Sequence, residues 1–407
     1  MSNILGMIKK HSSLLLIVFG AGCFFLSNII FKQKLNDQDF GIYSLVITYF
    51  SLLYIYGLLG YEQVFLRYSS VKEKNLIVTQ KISVNIVLIT SVIISTICSI
   101  LFYTYYFNQN FNILLFVLAT FSIVCCMAMF SLFRLNEDYT IAQFIANFWK
   151  IFLLMICGLY LFKKEISINL IADSISIVII IFTVLFGIYT FKNINFEFDN
   201  TISQSTIFKS FFYFFISIST FSIITFGDRF IIENKIDLQT LGTYFYLSNF
   251  LLAPFNILQN YIGFKQLTEY KKQIKSKLLI TYSLKAVLFG LFLGCLLLII
   301  TFLIDYNNLL NFKFNIYYTE ILLLILLGII KLYASVITPA FEVSTNIKML
   351  RTFNLLFIAS TIILFASLLI TSQLTLVDVI ITLTLLWLFR TLLQHYLLMK
   401  NKVTNPI

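Results

Sequence analysis

Long apolar segments follow one another along almost the whole chain of 407 residues, and only short polar connections separate them. A helix needs about 20 apolar residues to cross a hydrocarbon core of about 30 Å. Because that core holds no water to satisfy peptide groups, segments of this kind cross it as helices. The pattern predicts twelve spanning helices, near 11–31, 40–60, 81–107, 112–133, 140–162, 168–190, 207–226, 240–264, 281–304, 319–338, 351–371 and 377–398.

The composition excludes a soluble protein. Only 12% of the residues are charged and 59% are hydrophobic, whereas about 25% of the residues of a soluble domain are charged. Six cysteines within apolar segments and two distant histidines predict neither a disulfide scaffold nor a metal site. No glycine precedes a lysine, so the phosphate-binding loop of ATPases is absent from the sequence. We therefore expect an all-α integral membrane protein that uses no cofactor or metal and is not an enzyme.

The basic residues predict the orientation. With the N-terminus inside, 19 of the 29 lysines and arginines fall in inside segments and 7 in outside segments. Cytoplasmic connections carry an excess of basic residues, so both termini are predicted to be cytoplasmic. The net charge of +11 then follows from orientation and requires no nucleic-acid partner. Inside basic residues such as Arg67 are expected to contact anionic lipid head groups.

An internal repeat is indicated by an offset of about 201 residues. This offset aligns Phe40-Gly41-Ile42-Tyr43 with Leu241-Gly242-Thr243-Tyr244, and Gln38 with Gln239. Each block opens a predicted span after a short outside connection, and a basic cluster follows each span. Six spans per repeat preserve the orientation, so the repeats would be parallel. We predict two six-helix lobes, residues 1–200 and 201–407.

These features together resemble the polysaccharide flippases of the multidrug/oligosaccharidyl-lipid/polysaccharide (MOP) exporter superfamily, the O-antigen (Wzx-type) transporters in particular. The resemblance covers the whole chain, and its local carriers are Leu35–Tyr43, the counterpart ending at Tyr244, and Gly227–Phe230. It implies a MATE-like pair of lobes around a central cavity. It also implies alternating-access transport of an oligosaccharide on undecaprenyl pyrophosphate across a bacterial inner membrane. The implied partners are this anionic cargo, membrane lipids, and the polysaccharide polymerase with its chain-length machinery.

Three basic residues are predicted to lie near the middle of the membrane. At 1.5 Å per residue, Lys150 lies about 15 Å, Lys331 about 18 Å and Arg390 about 20 Å from the first residue of its predicted span. A charged side chain at that depth costs about 2.5–3.5 kcal/mol, and no acid is expected at comparable depth. Lys150, Lys331 and Arg390 are therefore predicted to line a central cavity and to bind a pyrophosphate or acidic sugar. The alternative is that these side chains extend toward the interface, and for Lys150 the two interpretations are equally supported.

Other polar residues give weaker predictions. Four amides around Pro254 are candidates for contacting sugar hydroxyls, and a helix kink satisfied by neighbouring helices is the alternative. The acids Asp173, Asp228, Asp378 and Glu62 are candidates for carrying a coupling proton. Asp228 and Arg229 are candidates for a gate at the outer end of the seventh span, or form a solvated charge pair there. The amide candidates are Asn249, Asn256, Gln259 and Asn260.

Three other functions compete with this interpretation. A drug or cation antiporter of the same superfamily requires a deep acid to bind a cationic substrate. A membrane-embedded polysaccharide polymerase or glycosyltransferase requires a large outside loop, whereas the longest predicted outside loops are only 227–239 and 305–318. A flippase for the peptidoglycan lipid precursor usually has two more helices.

Overall fold

In the computed structural model, long helices form nearly all of the chain. The structure describes residues 2–72, 75–107, 111–160, 167–199, 201–272, 276–310 and 312–400. The helices are α1 (Ser2–Lys34), α2 (Asp37–Tyr56), α3 (Tyr61–Tyr68), α4 (Lys81–Phe102), α5 (Ile113–Leu135), α6 (Tyr139–Tyr160), α7 (Ile168–Asn193), α8 (Gln204–Lys235), α9 (Leu238–Lys272), α10 (Ser276–Tyr306), α11 (Tyr318–Ser344), α12 (Ile347–Ile370) and α13 (Leu376–Lys400).

Eleven helical segments in the described part of the chain are long and apolar enough to cross a membrane. They confirm an all-α multi-pass membrane protein. The predicted span 240–264 falls in α9, which is 35 residues long but is not among the eleven. Its stretch around Pro254 carries several amide side chains, which lower its mean hydropathy. The number twelve therefore stays a prediction.

The second apolar segment, Asp37–Phe65, is interrupted by a turn. Helix α2 ends at Tyr56, and α3 begins at Tyr61 after a turn whose four residues are all buried. Leu59 and Gly60 have positive φ values of 53° and 83°. Gly60 suits this position because a Cβ atom there would lie 2.9 Å from the Phe214 carbonyl oxygen.

A small three-stranded sheet, which the sequence pattern did not predict, accompanies the helices. Its strands are β1 (Ser70–Lys72), β2 (Asn75–Val78) and β3 (Phe196–Phe198), in the order β1-β2-β3. β1 and β2 are antiparallel, and β2 pairs with β3 in parallel with Ile77 opposite Glu197. The strands come from two segments that were predicted to be inside connections. The sheet thus joins the chain after α3 to the chain between α7 and α8.

By internal compactness the chain divides into two units, Met1–Ser222 and Ile223–Ile407. In the first unit, α1 packs along α6, and α5 packs against α4, α6 and α7. Aromatic rings fill its core, where Tyr49 stacks on Phe102 and Phe116 at centroid distances of 4.4 and 5.1 Å. The boundary between the predicted lobes, 1–200 and 201–407, falls before α8. The two lobes remain a prediction.

In the second unit, α11 is the central helix and packs against α9, α10 and α13, while α12 packs against α13. Close approach of α9 and α11 depends on Gly328. A Cβ atom at this residue would lie 2.4 Å from Cδ2 of the fully buried Phe255. Small residues commonly allow membrane helices to approach in this way.

The end of α8 differs from the prediction. The seventh span was expected to end at residue 226, with an outside loop over 227–239. Helix α8 instead continues to Lys235, and α9 begins at Leu238. Asp228 and Arg229 therefore lie inside a helix, with Asp228 about 10 Å from its end at 1.5 Å per residue. Asp228 is buried, which contradicts a solvated charge pair at a helix end, whereas the gate stays a prediction.

Candidate functional site

A buried carboxylate lies between α8 and α9 in the second unit. Asp228 is only 4% exposed, and its Oδ2 accepts a hydrogen bond from the hydroxyl of Tyr244. Its Oδ1 is buried and has no hydrogen-bond partner among the described residues. The adjacent Arg229 packs over the rings of Phe226 and Phe245, at 5.4 and 5.0 Å. Burying a carboxylate with one bare oxygen is costly unless a charge or a proton compensates it.

Arg229, the next residue, and Lys331, on α11, both place positive charge near this carboxylate. The Lys331 ammonium interacts electrostatically with Asp228, although the two form no direct ion pair among the described residues. Lys331 Nζ donates to Asn256 Oδ1 on α9 over 3.4 Å and lies 5.1 Å from the centroid of the Trp387 ring. The lysine head is thus held by neutral groups, an amide and an indole, beside the charge of Asp228.

Arg390, on α13, shares the same indole ring. Its guanidinium carbon lies 5.3 Å from the Trp387 centroid, and its side chain is 8% exposed. One guanidinium nitrogen donates to Thr338 Oγ1 on α11 over 3.4 Å, and the hydroxyl of Thr338 donates to Gln394 at 2.9 Å. Glu342, on α11, interacts electrostatically with Arg390. Trp387 therefore places Lys331 and Arg390 close to each other inside the second unit.

Two acids lie near the cations of this cluster. Asp228 interacts with Lys331, and Glu342 interacts with Arg390. Both acids lie inside helices because α8 and α11 end at Lys235 and Ser344 rather than at the predicted residues 226 and 338. The absence of an acid at the membrane depth of the cations stays a prediction.

Lys150 lies apart from this cluster, in the first unit. Its Nζ donates to Asn147 Oδ1 at 3.0 Å and lies 5.8 Å from the Trp149 centroid. The Trp149 ring stacks on Tyr54 of α2 at 5.8 Å and meets Phe24 of α1 edge-on at 5.7 Å. Among the described residues, Lys150 forms no ion pair. Each of the two tryptophans thus contacts a mid-helix lysine that also donates to an asparagine.

The remaining predicted site residues do not join either cluster. Glu62 interacts electrostatically with Arg134, and Asp173 accepts a long hydrogen bond of 3.5 Å from the Asn112 backbone N–H. Asp378 accepts from the backbone N–H and hydroxyl of Thr375 at the start of α13. Each of these acids thus has a local contact, and its role in carrying a coupling proton stays a prediction.

Of the four amides, only Asn256 contacts a cluster cation. Asn249 donates to the Phe245 carbonyl oxygen one turn earlier, at 2.8 Å. Gln259 and Asn260 lie further along α9, and Asn260 is exposed. Trp387 and Tyr244 were not predicted as site residues. The spacing of Trp387 and Arg390, three residues apart on one helix face, was the available signal for the first.

The second helix of each unit begins in the same way. Asn36 accepts a hydrogen bond from the backbone N–H of Asp39 at 2.8 Å, and Asp237 accepts one from the N–H of Thr240 at 2.7 Å. Both pairs are related by the offset of 201 residues. The aligned tyrosines also behave alike.

Tyr43 donates to Asn28 on α1 at 2.8 Å, and Tyr244 donates to Asp228 on α8. The partner is an amide in the first unit and a carboxylate in the second.

Comparison with known proteins adds no assignment. No protein-family model matches the chain. No curated protein matches it either. The chemistry of the site must therefore be argued from its own residues. Two cations and one ring can bind an anionic group such as a phosphate, and a buried carboxylate with a bare oxygen can bind a proton or a small cation.

Proposed function

We propose that the protein is a flippase for a lipid-linked oligosaccharide, an anionic repeat unit on undecaprenyl pyrophosphate. It would move this cargo from the inner to the outer leaflet of a bacterial inner membrane. The observation that carries the proposal is the pair Lys331 and Arg390, held on one indole ring within membrane-spanning helices. A diphosphate suits this pair because Arg binds phosphate oxygens through a planar fork and Lys acts as a point charge.

The proposal includes the architecture on which transport would depend. It comprises twelve spans, two six-helix lobes around a central cavity, and both termini in the cytoplasm. Lys150 would contribute a third cavity cation from the first lobe. The matching starts of α2 and α9 support a duplicated chain, because both helices combine the same kind of cap with a tyrosine that bonds the preceding helix. Rocking of two such lobes would expose a site to each side in turn.

Within this function, Asp228 is the candidate coupling carboxylate. In the first unit the amide of Asn28 makes the equivalent bond to a tyrosine, so the helix pairing does not require a charge. The carboxylate of Asp228 therefore points to a role other than pairing the helices, because an ionisable group within a membrane segment costs free energy. Its bare Oδ1 and its interaction with Lys331 would allow protonation and cargo binding to influence each other.

A deletion strain tests the function. Loss of the protein should trap lipid-linked repeat units on the cytoplasmic face, where an impermeant enzyme reaches them only after the cells are opened. Restoration of the gene should return these units to the outer face. If the repeat units still reach the outer face without the protein, and no second flippase is expressed, the proposal is wrong.

Variants of the cations test the site. Lys331→Gln and Arg390→Gln should each abolish surface polysaccharide in the complemented strain at unchanged protein level, because glutamine keeps hydrogen bonding and removes the charge that binds phosphate. Lys348→Gln changes an exposed lysine on α12 and should leave export intact. Full export by the double variant Lys331→Gln/Arg390→Gln would contradict the site assignment.

A second function is favoured by Asp228 alone. A deep acid is what an antiporter for cationic drugs requires, and Asp228 is 4% exposed within a spanning helix. For that function, deletion should make cells more sensitive to cationic compounds and leave lipid-linked repeat units unchanged. The same two measurements therefore decide between the two functions.

A further inference from the structure

A polar pocket lies at the end of the second unit where α9, α11 and α13 begin. Its volume is about 190 Å³. Helix α13 contributes its first residue, Leu376, as the apolar part of the wall. The polar lining consists of Asp237, Gln239, Thr240, Thr243, Tyr317 and Glu320.

Two of these side chains have polar groups that the protein itself does not use. Thr243 is only 9% exposed, and its hydroxyl has no hydrogen-bond partner among the described residues. The carboxylate of Glu320, in the first turn of α11, likewise has no partner in the described part of the chain. Asp237 differs, because its two oxygens cap α9 by accepting from the N–H and hydroxyl of Thr240 at 2.7 and 2.9 Å. The pocket thus holds a nearly buried hydroxyl and a half-buried carboxylate that have no hydrogen-bond partner among the described residues and face the pocket.

The helix start itself does not explain the Thr243 hydroxyl. The first unit builds the same start with the Asn36 cap, and its residue aligned with Thr243 is Ile42. The start of the helix therefore does not require a hydroxyl at this position, because an isoleucine occupies it in the first unit. A nearly buried hydroxyl without a partner costs free energy unless a ligand or water satisfies it.

The lining restricts the class of ligand. Two carboxylates without a basic residue disfavour an anion. No group of three or more His, Cys, Asp or Glu suited to a metal occurs among the described residues, while Ca²⁺ requires about 6–8 oxygen ligands. Helix N-termini offer N–H donors, and the carboxylate and hydroxyls offer acceptors, which together suit a neutral hydroxylated molecule. The volume is below the roughly 300–1,000 Å³ of drug-sized sites and accommodates one sugar ring.

We propose that this pocket binds a neutral monosaccharide unit, in which Glu320 accepts and Thr243 exchanges hydrogen bonds with sugar hydroxyls while Tyr317 covers a ring face. As a subsite for the transported glycan at the outer end of the second unit, it rests on the proposed function. Thr243 directly precedes Tyr244, which donates to Asp228. A sugar in the pocket would thus contact α9 next to the buried carboxylate.

Saturation-transfer NMR on the full chain in lipid nanodiscs tests this site. The probes are glucose, galactose and N-acetylglucosamine as neutral sugars, with glucuronic acid and glucosamine as charged ones. At least one neutral sugar should bind. Thr243→Val and Glu320→Gln should each weaken its binding about tenfold, the loss expected for one hydrogen bond of about 1.4 kcal/mol. Thr382→Val, a buried threonine of α13 outside the pocket, should bind like the parent protein.

Three results would overturn the pocket assignment. They are no signal from any neutral sugar, equal binding by the parent and both pocket variants, or saturable binding of a charged sugar alone. The outcome is separate from that of the deletion strain. Sugar binding that depends on Thr243, without trapped repeat units, would keep the pocket and refute the flippase. Trapped repeat units without sugar binding would keep the flippase and refute the pocket.

Discussion

At the scale of single residues, the contacts with Trp387 offset only part of the free-energy cost of placing two cations in a membrane. Lys331 and Arg390 each cost about 2.5–3.5 kcal/mol within a membrane, whereas a desolvated cation–π contact contributes about 2 kcal/mol and a neutral hydrogen bond about 1 kcal/mol. Both cations share one ring. The acids Asp228 and Glu342 interact with them electrostatically, yet Lys331 makes no direct ion pair among the described residues. An anionic ligand that binds the Lys331 ammonium would therefore stabilise it further.

Exchanging the two residues that bond the aligned tyrosines, Asp228 and Asn28, tests the role of Asp228. Asp228→Asn should keep the Tyr244 bond and the melting temperature of the purified protein, because Asn28 makes the same bond to Tyr43 in the first unit. It should nevertheless abolish export, because the group that exchanges a proton is lost. Asn28→Asp should lower the melting temperature, because Asn28 is 1% exposed and a new carboxylate there must be desolvated.

Thermal unfolding in nanodiscs and surface polysaccharide in the complemented strain are the two readouts. If Asp228→Asn destabilises the protein as much as Asn28→Asp does, the carboxylate has a structural role and the coupling assignment fails. If Asp228→Asn exports normally at parental level, no coupling passes through this residue.

At the scale of elements, the spanning helices could be predicted because each one follows from a local run of apolar residues. The end of α8 could not, because Asp228, Arg229 and Glu233 resemble a solvated loop when they are read locally. In the folded chain Tyr244 bonds Asp228, and two phenylalanine rings cover Arg229. The three-stranded sheet was also out of reach, because β2 pairs with β3 about 120 residues later in the chain.

The candidate site also combines features that local sequence predicts with features that depend on tertiary packing. The positions of Lys331 and Arg390 near the middle of α11 and α13 follow from local apolar runs and could be predicted, while their depth in a membrane stays a prediction. Their acidic neighbours depend on how α9 and α13 pack against α11 and on the hydrogen bond from Tyr244 of α9 to Asp228 of α8, which no local pattern contains. Trp387 joins two predicted residues, but its spacing from Arg390 is equally typical of ordinary core packing.

The contact between α9 and α11 gives a test at this scale. Gly328→Ala should destabilise the protein by about 1–3 kcal/mol, the usual cost of overpacking, because the new methyl group would lie 2.4 Å from the ring of Phe255. It should also impair export, since Phe255 precedes the Asn256 that holds Lys331. Gly263→Ala, on α9, is the control, because the nearest atom would lie at an ordinary contact distance of 3.8 Å. Equal melting temperatures for the two variants would contradict this packing.

At the scale of the whole molecule, the sheet and the distribution of basic residues both predict that the connections carrying the strands lie on one side of the membrane. The strands lie in connections that the excess of basic residues assigns to the cytoplasm, together with both termini. The connection between α12 and α13, where Thr371, Ser372 and Gln373 are exposed, is assigned to the outside. Both assignments rest on an even number of spans before residue 196, and on α9 being a span.

Single-cysteine labelling tests this topology. In a variant whose six cysteines are replaced, Ser372→Cys should react with a membrane-impermeant maleimide in intact cells, because its connection is outside. Glu197→Cys, on β3, should react only after the cells are opened, although Glu197 is equally exposed in the structure. Labelling of both in intact cells would place residues 197 and 372 on the same side. An odd number of spans would then have to be removed between them, and α9, the one long helix outside the eleven apolar segments, would be the first candidate.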